Sequence, residues 1–136
     1  MTSEEKAYIA GIIDGEGSIM LISFHKNQYP SPMVSIISTT LELLKWIRRT
    51  IAKGTIINKK NYNIDKHKSS YTYYLRYNDA IELLEEIEPF LVINSKKKRA
   101  QMIINGYKLI TPRNGRYSDE LLQKKKQFYE EFLQLK

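Results

Sequence analysis

The sequence predicts an α+β domain in which four antiparallel strands form one sheet and helices pack on the opposite face. Two observations lead to this class. Two pairs of short runs are rich in β-branched and aromatic residues, and the segments around them carry apolar residues at helical spacing. The order along the chain is α-β-β-α-β-β-α-α, with one further helix at the end. Strands joined as hairpins give an antiparallel sheet with one face packed and one face solvated.

Capping residues and glycines mark the predicted helices. Thr2 and Glu5 form a capping box, so the first helix runs from about Ser3 to Asp14 and ends at Gly15 and Gly17. The second helix begins after Thr40 and ends at Gly54. The remaining helices are predicted from Asn78 or Asp79 to Glu88, from Ser95 to about Ile110, and from Ser118 onward. The strands are predicted at residues 18–25, 33–39, 55–60 and 70–77.

Length and composition predict one domain, residues 1–136, with a core at about 5–110 and a C-terminal helical extension at about 111–136. A hydrophobic content of 42% is enough to fill one core, and the lack of cysteine excludes disulfides and thiolate metal sites. No apolar run reaches the ~18 residues of a membrane span. The acidic start lacks the basic region of a signal or transit peptide. We therefore expect the protein to be non-membrane, not secreted, and active where it is made, in an organelle matrix or a prokaryotic or phage-infected cytoplasm.

Charge is distributed unevenly around a net +7. Residues 43–76 contain nine Lys or Arg and one acid, residues 89–118 contain seven and no acid, and residues 79–88 contain five acids and no base. This separation favours a basic face that meets a polyanion such as nucleic acid, over a uniformly solvated basic protein.

The most informative segment is Ile9-Ala10-Gly11-Ile12-Ile13-Asp14-Gly15-Glu16-Gly17, followed by Ser18. Ala10 and Gly11 lie on one side of the predicted helix, where small residues allow a second backbone to approach. Asp14 and Glu16 lie at its C-terminal end, where the helix dipole disfavours a carboxylate by ~0.3–1 kcal/mol. Two acids in this position indicate a compensating cation, and hard divalent ions take carboxylate ligands. The alternative is an ordinary amphipathic helix that ends in an Asp-Gly turn. The predicted helix before the segment and the predicted strand after it favour the functional interpretation.

This segment resembles the nine-residue motif of the LAGLIDADG homing endonucleases. Five positions are identical, namely Ala10, Gly11, Ile13, Asp14 and Gly17, and the other four are conservative replacements. The resemblance extends over roughly residues 5–110. It implies a site-specific, metal-dependent DNA endonuclease encoded in an intron or similar mobile element, with a long, near-palindromic target.

The resemblance implies specific roles around the motif. Glu16 would bind the divalent metal together with the Gly15 carbonyl, and Mg²⁺ is the expected ion, with Mn²⁺ or Ca²⁺ able to occupy the same sites. Ala10, Gly11, Asp14 and Gly17 would be structural, with Asp14 bracing the helix end. The family places a lysine after a Pro-Phe-Leu segment. This lysine is catalytic in the family and is followed by an alanine. Counting back from Ala100 puts it at Lys96, whereas counting forward from Pro89 reaches Asn94. Lys96 is therefore the expected catalytic lysine beside Glu16, and it would polarise the phosphate or orient the attacking water, with Lys97 and Lys98 as rivals.

A single motif in 136 residues implies a C2 homodimer in which helix 1 packs on its symmetry mate. The resemblance also implies that the sheet binds double-stranded DNA in the major groove. The strand register is open, so either Tyr71 and Tyr73 or Tyr74 and Arg76 face the DNA. The DNA-binding candidates are Ser18, Lys26, Asn27, Gln28, Ser38, Lys59, Lys60, Asn61, Tyr73, Arg76, Lys97, Lys98, Arg113 and Arg116.

Other functions compatible with this fold are an RNA-binding intron maturase and a non-cleaving DNA-binding protein. The carboxylate at Glu16 argues against lost catalysis. A maturase that binds intron RNA stays open, and it is compatible with DNA cleavage.

Overall fold

The computed structural model describes residues 1–23, 29–59, 69–112 and 116–136. The predicted order of helices and strands is confirmed, with a short 3-10 turn after each of the third and fourth helices. The elements are α1 Ser3–Glu16, β1 Gly17–Ile22, β2 Ser31–Ser38, α2 Leu41–Ile51, β3 Thr55–Lys59, β4 Ser70–Arg76, α3 Tyr77–Ile87, a 3-10 turn Glu88–Phe90, α4 Asn94–Gly106, a 3-10 turn Lys108–Ile110 and α5 Asp119–Leu133.

The four strands form one antiparallel sheet in the order β1-β2-β4-β3. Directly paired residues share a face of a sheet. One face carries apolar rows such as Ile19, Val34 and Leu75, and the helices pack against it. The other, which we call the open face, carries rows of mostly exposed or half-buried side chains. These rows are Ser18, Ser35, Tyr74 and Thr55, then Met20, Met33 and Arg76, then Ile37, Thr72 and Ile57.

The core lies between this sheet and helices α1 to α4. Ile9 and Ile13 from α1, Leu44 and Ile47 from α2, and Leu84 from α3 are fully buried against the strands. Burying each such side chain contributes roughly 1.5–3 kcal/mol. The C-terminal helix α5 joins this core through Phe132, and Arg99 of α4 supports it by donating from Nε to the Leu135 carbonyl at 2.6 Å. No helix within the described ranges is long and apolar enough to cross a membrane.

The capping box of α1 is confirmed. The Thr2 N–H donates to Glu5 Oε1 at 2.8 Å and the Glu5 N–H donates to Thr2 Oγ1 at 3.1 Å. These bonds lower the pKa of Glu5 below its usual value. The predicted cap of α5 is confirmed as well, because Ser118 Oγ accepts from the Leu121 N–H at 3.1 Å.

Two other predicted starts are wrong. The third helix begins at Tyr77, with Arg76 and not Asn78 or Asp79 in the cap position. Helix α4 begins at Asn94 with Ile93 as its N-cap, although Ser95 was expected to cap it, and it ends at Gly106 before the short 3-10 turn. Neither helix has a side-chain hydrogen bond from its own N-cap residue.

Helix α1 runs two residues beyond its predicted end, through Gly15 to Glu16, and β1 follows directly at Gly17. A Cβ at Gly17 would lie 2.7 Å from the Ile13 Cα, so only glycine allows the strand to leave the helix this closely. Glu16 therefore stands at the junction between the motif helix and the sheet.

Candidate active site and nucleic-acid interface

Glu16 is exposed at the C-terminal end of α1, beside the exposed Gly15. The carbonyls of the last helical turn lack N–H donors further along the helix. The Gly15 carbonyl and the Glu16 carboxylate therefore present oxygen atoms at one edge of the molecule. Ser18, two residues after Glu16, is exposed on the open face, so this edge of the molecule adjoins the sheet.

Asp14 connects α1 to the start of α4. Its Oδ2 accepts a hydrogen bond from the Val92 N–H at 2.8 Å, and its Oδ1 accepts one from the Ile93 N–H at 3.2 Å. This arrangement agrees with the bracing role expected of Asp14, and it identifies the braced element as the segment that leads into α4.

Lys96 reaches in the opposite direction, from the first turn of α4 to the end of α1. Its Nζ donates to the Ile13 carbonyl at 2.7 Å and to the Asp14 carbonyl at 2.6 Å. A cation at a helix C-terminus is favourable because it offsets the negative end of the dipole. The structure thus brings Lys96 to the same helix end as Glu16, and these are the two residues to which the resemblance assigns catalytic roles.

The two rival lysines are not at this helix end. Lys97 Nζ donates to the Glu88 carbonyl at 2.9 Å and forms an ion pair with the Glu88 carboxylate at 3.2 Å. Hydrogen bonds from Gln101 and then Lys97 hold the pKa of Glu88 below its usual value. Lys98 is exposed.

The small residues of the motif face two ways. Ala10 is fully buried in the core, so the expectation that Ala10 and Gly11 share one close-approach side is wrong. Their neighbouring positions on a helix are separated by about 100°, which is enough to place them on different faces. Gly11 instead lies with Ala7 and Gly15 on an exposed stripe. A Cβ at Gly11 or Gly15 would meet nothing within 4 Å.

The register of β4 decides between the two tyrosine pairs. Tyr74 and Arg76 lie on the open face, and the Arg76 guanidinium stacks over the Tyr74 ring at 4.6 Å. Tyr73 lies on the helix side and is fully buried, so its proposed DNA contact is wrong. Ser38 also lies on the helix side, and its Oγ accepts from the Thr40 N–H at 3.0 Å, which shapes the turn into α2.

Several DNA-binding candidates lie outside the described residues. These are Lys26, Asn27, Gln28, Lys60, Asn61 and Arg113, and also the side chain of Lys59. Arg116 is exposed in the segment before α5. Among the described residues, Ser18 and Arg76 are the candidates placed on the open face.

Sequence reasoning missed one buried charge. Lys125 of α5 is only 4% exposed, and its Nζ donates to Thr111 Oγ1 and the Tyr117 hydroxyl, both at 2.9 Å. Its ammonium also faces the rings of Tyr107 at 4.8 Å and Tyr117 at 5.2 Å. Burial lowers the pKa of Lys125 to about 8. The signal available in the sequence was the pair of aromatic residues Tyr107 and Tyr117, which precede Lys125.

The described part of one chain holds no group of three or more His, Cys, Asp or Glu side chains that could bind a metal ion. Any ion bound through Glu16 would therefore need oxygen ligands from elsewhere.

Comparison with known proteins gives matches among solved structures. No protein-family model and no curated protein matches the chain. The homing endonuclease I-CvuI, solved in complex with its target, matches with a TM-score of 0.75 and 18% identity over 99% of this chain and 85% of that chain. The archaeal intron-encoded homing endonuclease I-Vdi141I, complexed with DNA, matches with a TM-score of 0.66 and 19% identity over 98% and 84% of the two chains.

A longer relative matches over only part of its length. The LAGLIDADG meganuclease I-AabMI, bound to uncleaved DNA, has a TM-score of 0.66 and 19% identity, with 90% of this chain and 42% of that chain covered. The matched proteins share with this chain the four-stranded sheet and its helices, although few residues are identical. The chain therefore has the fold of the LAGLIDADG homing endonucleases.

Proposed function

We propose that the protein is a homodimeric, divalent-metal-dependent DNA endonuclease that hydrolyses one phosphodiester bond in each strand of a specific, near-palindromic site. One observation carries this proposal: the exposed carboxylate of Glu16 stands where the motif helix meets the open face of the sheet. Solved structures of similar fold are described as homing endonucleases in complex with DNA. A net charge of +7 suits a polyanionic partner.

The homodimer would form through the exposed stripe of Ala7, Gly11 and Gly15. This stripe borders a shallow groove that is also lined by Tyr8, Ile12 and Leu43. Small residues let two helices approach closely, and a two-fold axis beside the stripe would place both Glu16 side chains near that axis. The coverage of 42–43% of the longer meganucleases is consistent with this chain being one half of such an assembly.

The open face would lie against the DNA. Its side chains point away from the helices, so Ser18, Tyr74 and Arg76 can reach a groove from one surface. Arg76 is the strongest candidate for a DNA contact, because arginine forms hydrogen bonds to phosphate groups and also to the edge of guanine. The Tyr74 ring beneath the guanidinium restricts its orientation and thereby favours a defined contact.

The ligands available for a metal are all oxygen atoms. The Glu16 carboxylate and the Gly15 carbonyl are hard donors, which fit Mg²⁺ and also Mn²⁺ or Ca²⁺. Because one chain supplies so few ligands, the second Glu16, the scissile phosphates and water would complete the coordination. The bound ion would lower the pKa of water and offset the negative charge that develops on the phosphate.

Lys96 would assist at the same helix end. Two of the three ammonium donors hold the Ile13 and Asp14 carbonyls, which leaves one donor for a phosphate oxygen or the attacking water. Its positive charge also offsets the negative end of the α1 dipole. This geometry favours Lys96 over Lys97, which is already paired with Glu88.

The test is a selection from DNA duplexes of randomised sequence, incubated with the protein and Mg²⁺ and sorted for cleaved molecules. The wild type and a Glu42→Gln control, in which an exposed carboxylate of α2 is changed, should cleave the same selected sequence. Glu16→Gln should bind that sequence but cleave it at least ~10²-fold more slowly, the scale for loss of one electrostatic group. Equal cleavage by Glu16→Gln, or RNA binding with no DNA cleaved, would contradict the proposal.

A further inference from the structure

Helix α4 begins without a cap from its own sequence. Its N-cap residue is Ile93, which has no side-chain acceptor, and its first turn contains no acid. The first turn instead contains lysines, beginning with Lys96, and these oppose the positive end of the helix dipole. A helix start of this kind needs an external acceptor and an external negative charge.

Asp14 supplies both from another helix. Its two carboxylate oxygens accept the N–H groups of Val92 and Ile93, at the residue before the N-cap and at the N-cap itself. This is the role that a capping-box glutamate plays within one helix, here performed across 79 residues of sequence.

A second contact runs in the opposite direction, from the first turn of α4 to the end of α1. Lys96 lies three residues after Ile93, and its Nζ binds the carbonyls of Ile13 and of Asp14 itself. The two helix ends thus hold each other reciprocally, with an anion at the positive end of α4 and a cation at the negative end of α1. We call this set of four hydrogen bonds the α1–α4 clasp.

We propose that Asp14 is a positioning residue for Lys96: by capping α4 from outside, it sets the ammonium of Lys96 against the end of α1, beside Glu16. The contribution of this placement to DNA cleavage rests on the function proposed above, but the placement itself does not. Without the carboxylate of Asp14, the N–H groups of Val92 and Ile93 lose their acceptor. The start of α4 is then no longer held against α1, and Lys96 loses its fixed position.

The first experiment needs no DNA target. Lysines of the folded protein are labelled with a trace of acetic anhydride, and the extent at Lys96 is compared by mass spectrometry with that at the exposed Lys98. In Asp14→Asn the Lys96 labelling should rise several-fold, and the amides of Val92 and Ile93 should exchange hydrogen faster. Glu88→Gln is the matched control because Glu88 also holds α4, through Lys97 and Gln101. It should raise labelling at Lys97 and leave Lys96 unchanged.

A second variant keeps the test valid if Asp14→Asn fails to fold. The φ of Ile93 is −71°, which proline adopts, so Ile93→Pro removes one donor to Asp14 while the carboxylate stays in place. It should also raise Lys96 labelling. Unchanged Lys96 labelling in a folded Asp14→Asn or Ile93→Pro protein would overturn the proposal.

The second experiment measures cleavage of a selected DNA under single-turnover conditions. Asp14→Asn should lower the cleavage rate constant at saturating protein while the Kd for DNA stays within about twofold of the wild-type value. Glu88→Gln should change neither. A weaker Kd with an unchanged rate constant would show that Asp14 only supports the fold. If the wild type cleaves no DNA, the proposed function is wrong. The labelling result still tests whether Asp14 positions Lys96.

Discussion

The ring of Tyr73 occupies the space into which a side chain at Gly54 would project. A Cβ at Gly54 would lie 2.6 Å from both the Cζ and the hydroxyl oxygen of Tyr73 and closer still to its Cε2. The hydroxyl donates to the Lys53 carbonyl at 2.5 Å, and burial raises the pKa of Tyr73 well above its usual value. The connection between α2 and β3 is therefore shaped by a residue of β4, which pairs beside it.

We expect Gly54→Ala to lower the free energy of unfolding by about 2–4 kcal/mol, because φ at Gly54 is +105° and the added methyl would overlap Tyr73. Urea denaturation followed by circular dichroism measures this change. Ala52→Gly is a control of opposite sign. Ala52 has a φ of 66°, so glycine there should raise the free energy of unfolding by up to ~1 kcal/mol. A neutral Gly54→Ala variant would contradict the packing described for Tyr73.

Lys125 should make stability increase with pH between about 8 and 10. Its pKa is about 8 in the folded protein and 10.5 when exposed, so in this range the unfolded chain binds the extra proton. The free energy of unfolding then rises with pH, by up to roughly 3 kcal/mol over the whole interval. Above pH 10 the buried tyrosines act in the opposite direction, because burial raises the pKa values of Tyr73 and Tyr107.

This pH effect is measured by thermal or urea denaturation at a series of pH values. Lys125→Met should remove the rise. Lys124→Met, which changes the exposed neighbour paired with Glu120, should retain it. A rise of the same size in Lys125→Met would assign the effect to another group.

Gly11→Leu should prevent dimerisation without destabilising the folded chain. A Cβ at Gly11 would meet no atom within 4 Å beyond the backbone of its own helix, and the position is exposed, so the thermal stability of a single chain should change little. If helix α1 packs on its symmetry mate, however, the added side chain blocks close approach, and DNA cleavage is lost with the dimer. Sedimentation equilibrium at micromolar concentration checks this outcome. A wild type that stays monomeric both alone and on DNA would contradict the proposed assembly.

Arg76→Ala should weaken DNA binding measurably. If the guanidinium contacts a phosphate, the slope of log K against log salt should decrease in magnitude by about 1. If it reads a base edge, the slope should be retained and discrimination at one position should fall. Arg48→Ala, on the exposed side of α2 in the helix layer, is the control and should leave both quantities unchanged. An unchanged DNA affinity in Arg76→Ala would contradict the assignment of the open face of β4 to the DNA interface.

Local patterns were sufficient to predict the order of elements and the capping box of α1, because both depend on residues close together in sequence. The start of α4 could not be predicted in this way. Its acceptor is Asp14, and no window around Ser95 contains that information. Ser95 was the better cap by residue type, but the tertiary contact determines where the helix begins.

Two further errors have physical causes of the same kind. The run Tyr71-Thr72-Tyr73-Tyr74 places an aromatic residue on each face of β4, so alternation alone could not identify the buried one. The pairing of Tyr73 with Ile36 and Ile56 determines it. The burial of Lys125 depends on Tyr107 and Tyr117, which come together only when α5 packs on the rest of the domain.

The α1–α4 clasp has a consequence for engineering. A graft that replaced α1 alone with the helix of another protein would separate Asp14 from the amides that it binds. The four hydrogen bonds of the clasp join residues 3–16 to residues 92–96 despite their separation in sequence. A productive exchange should therefore carry both segments from the same parent.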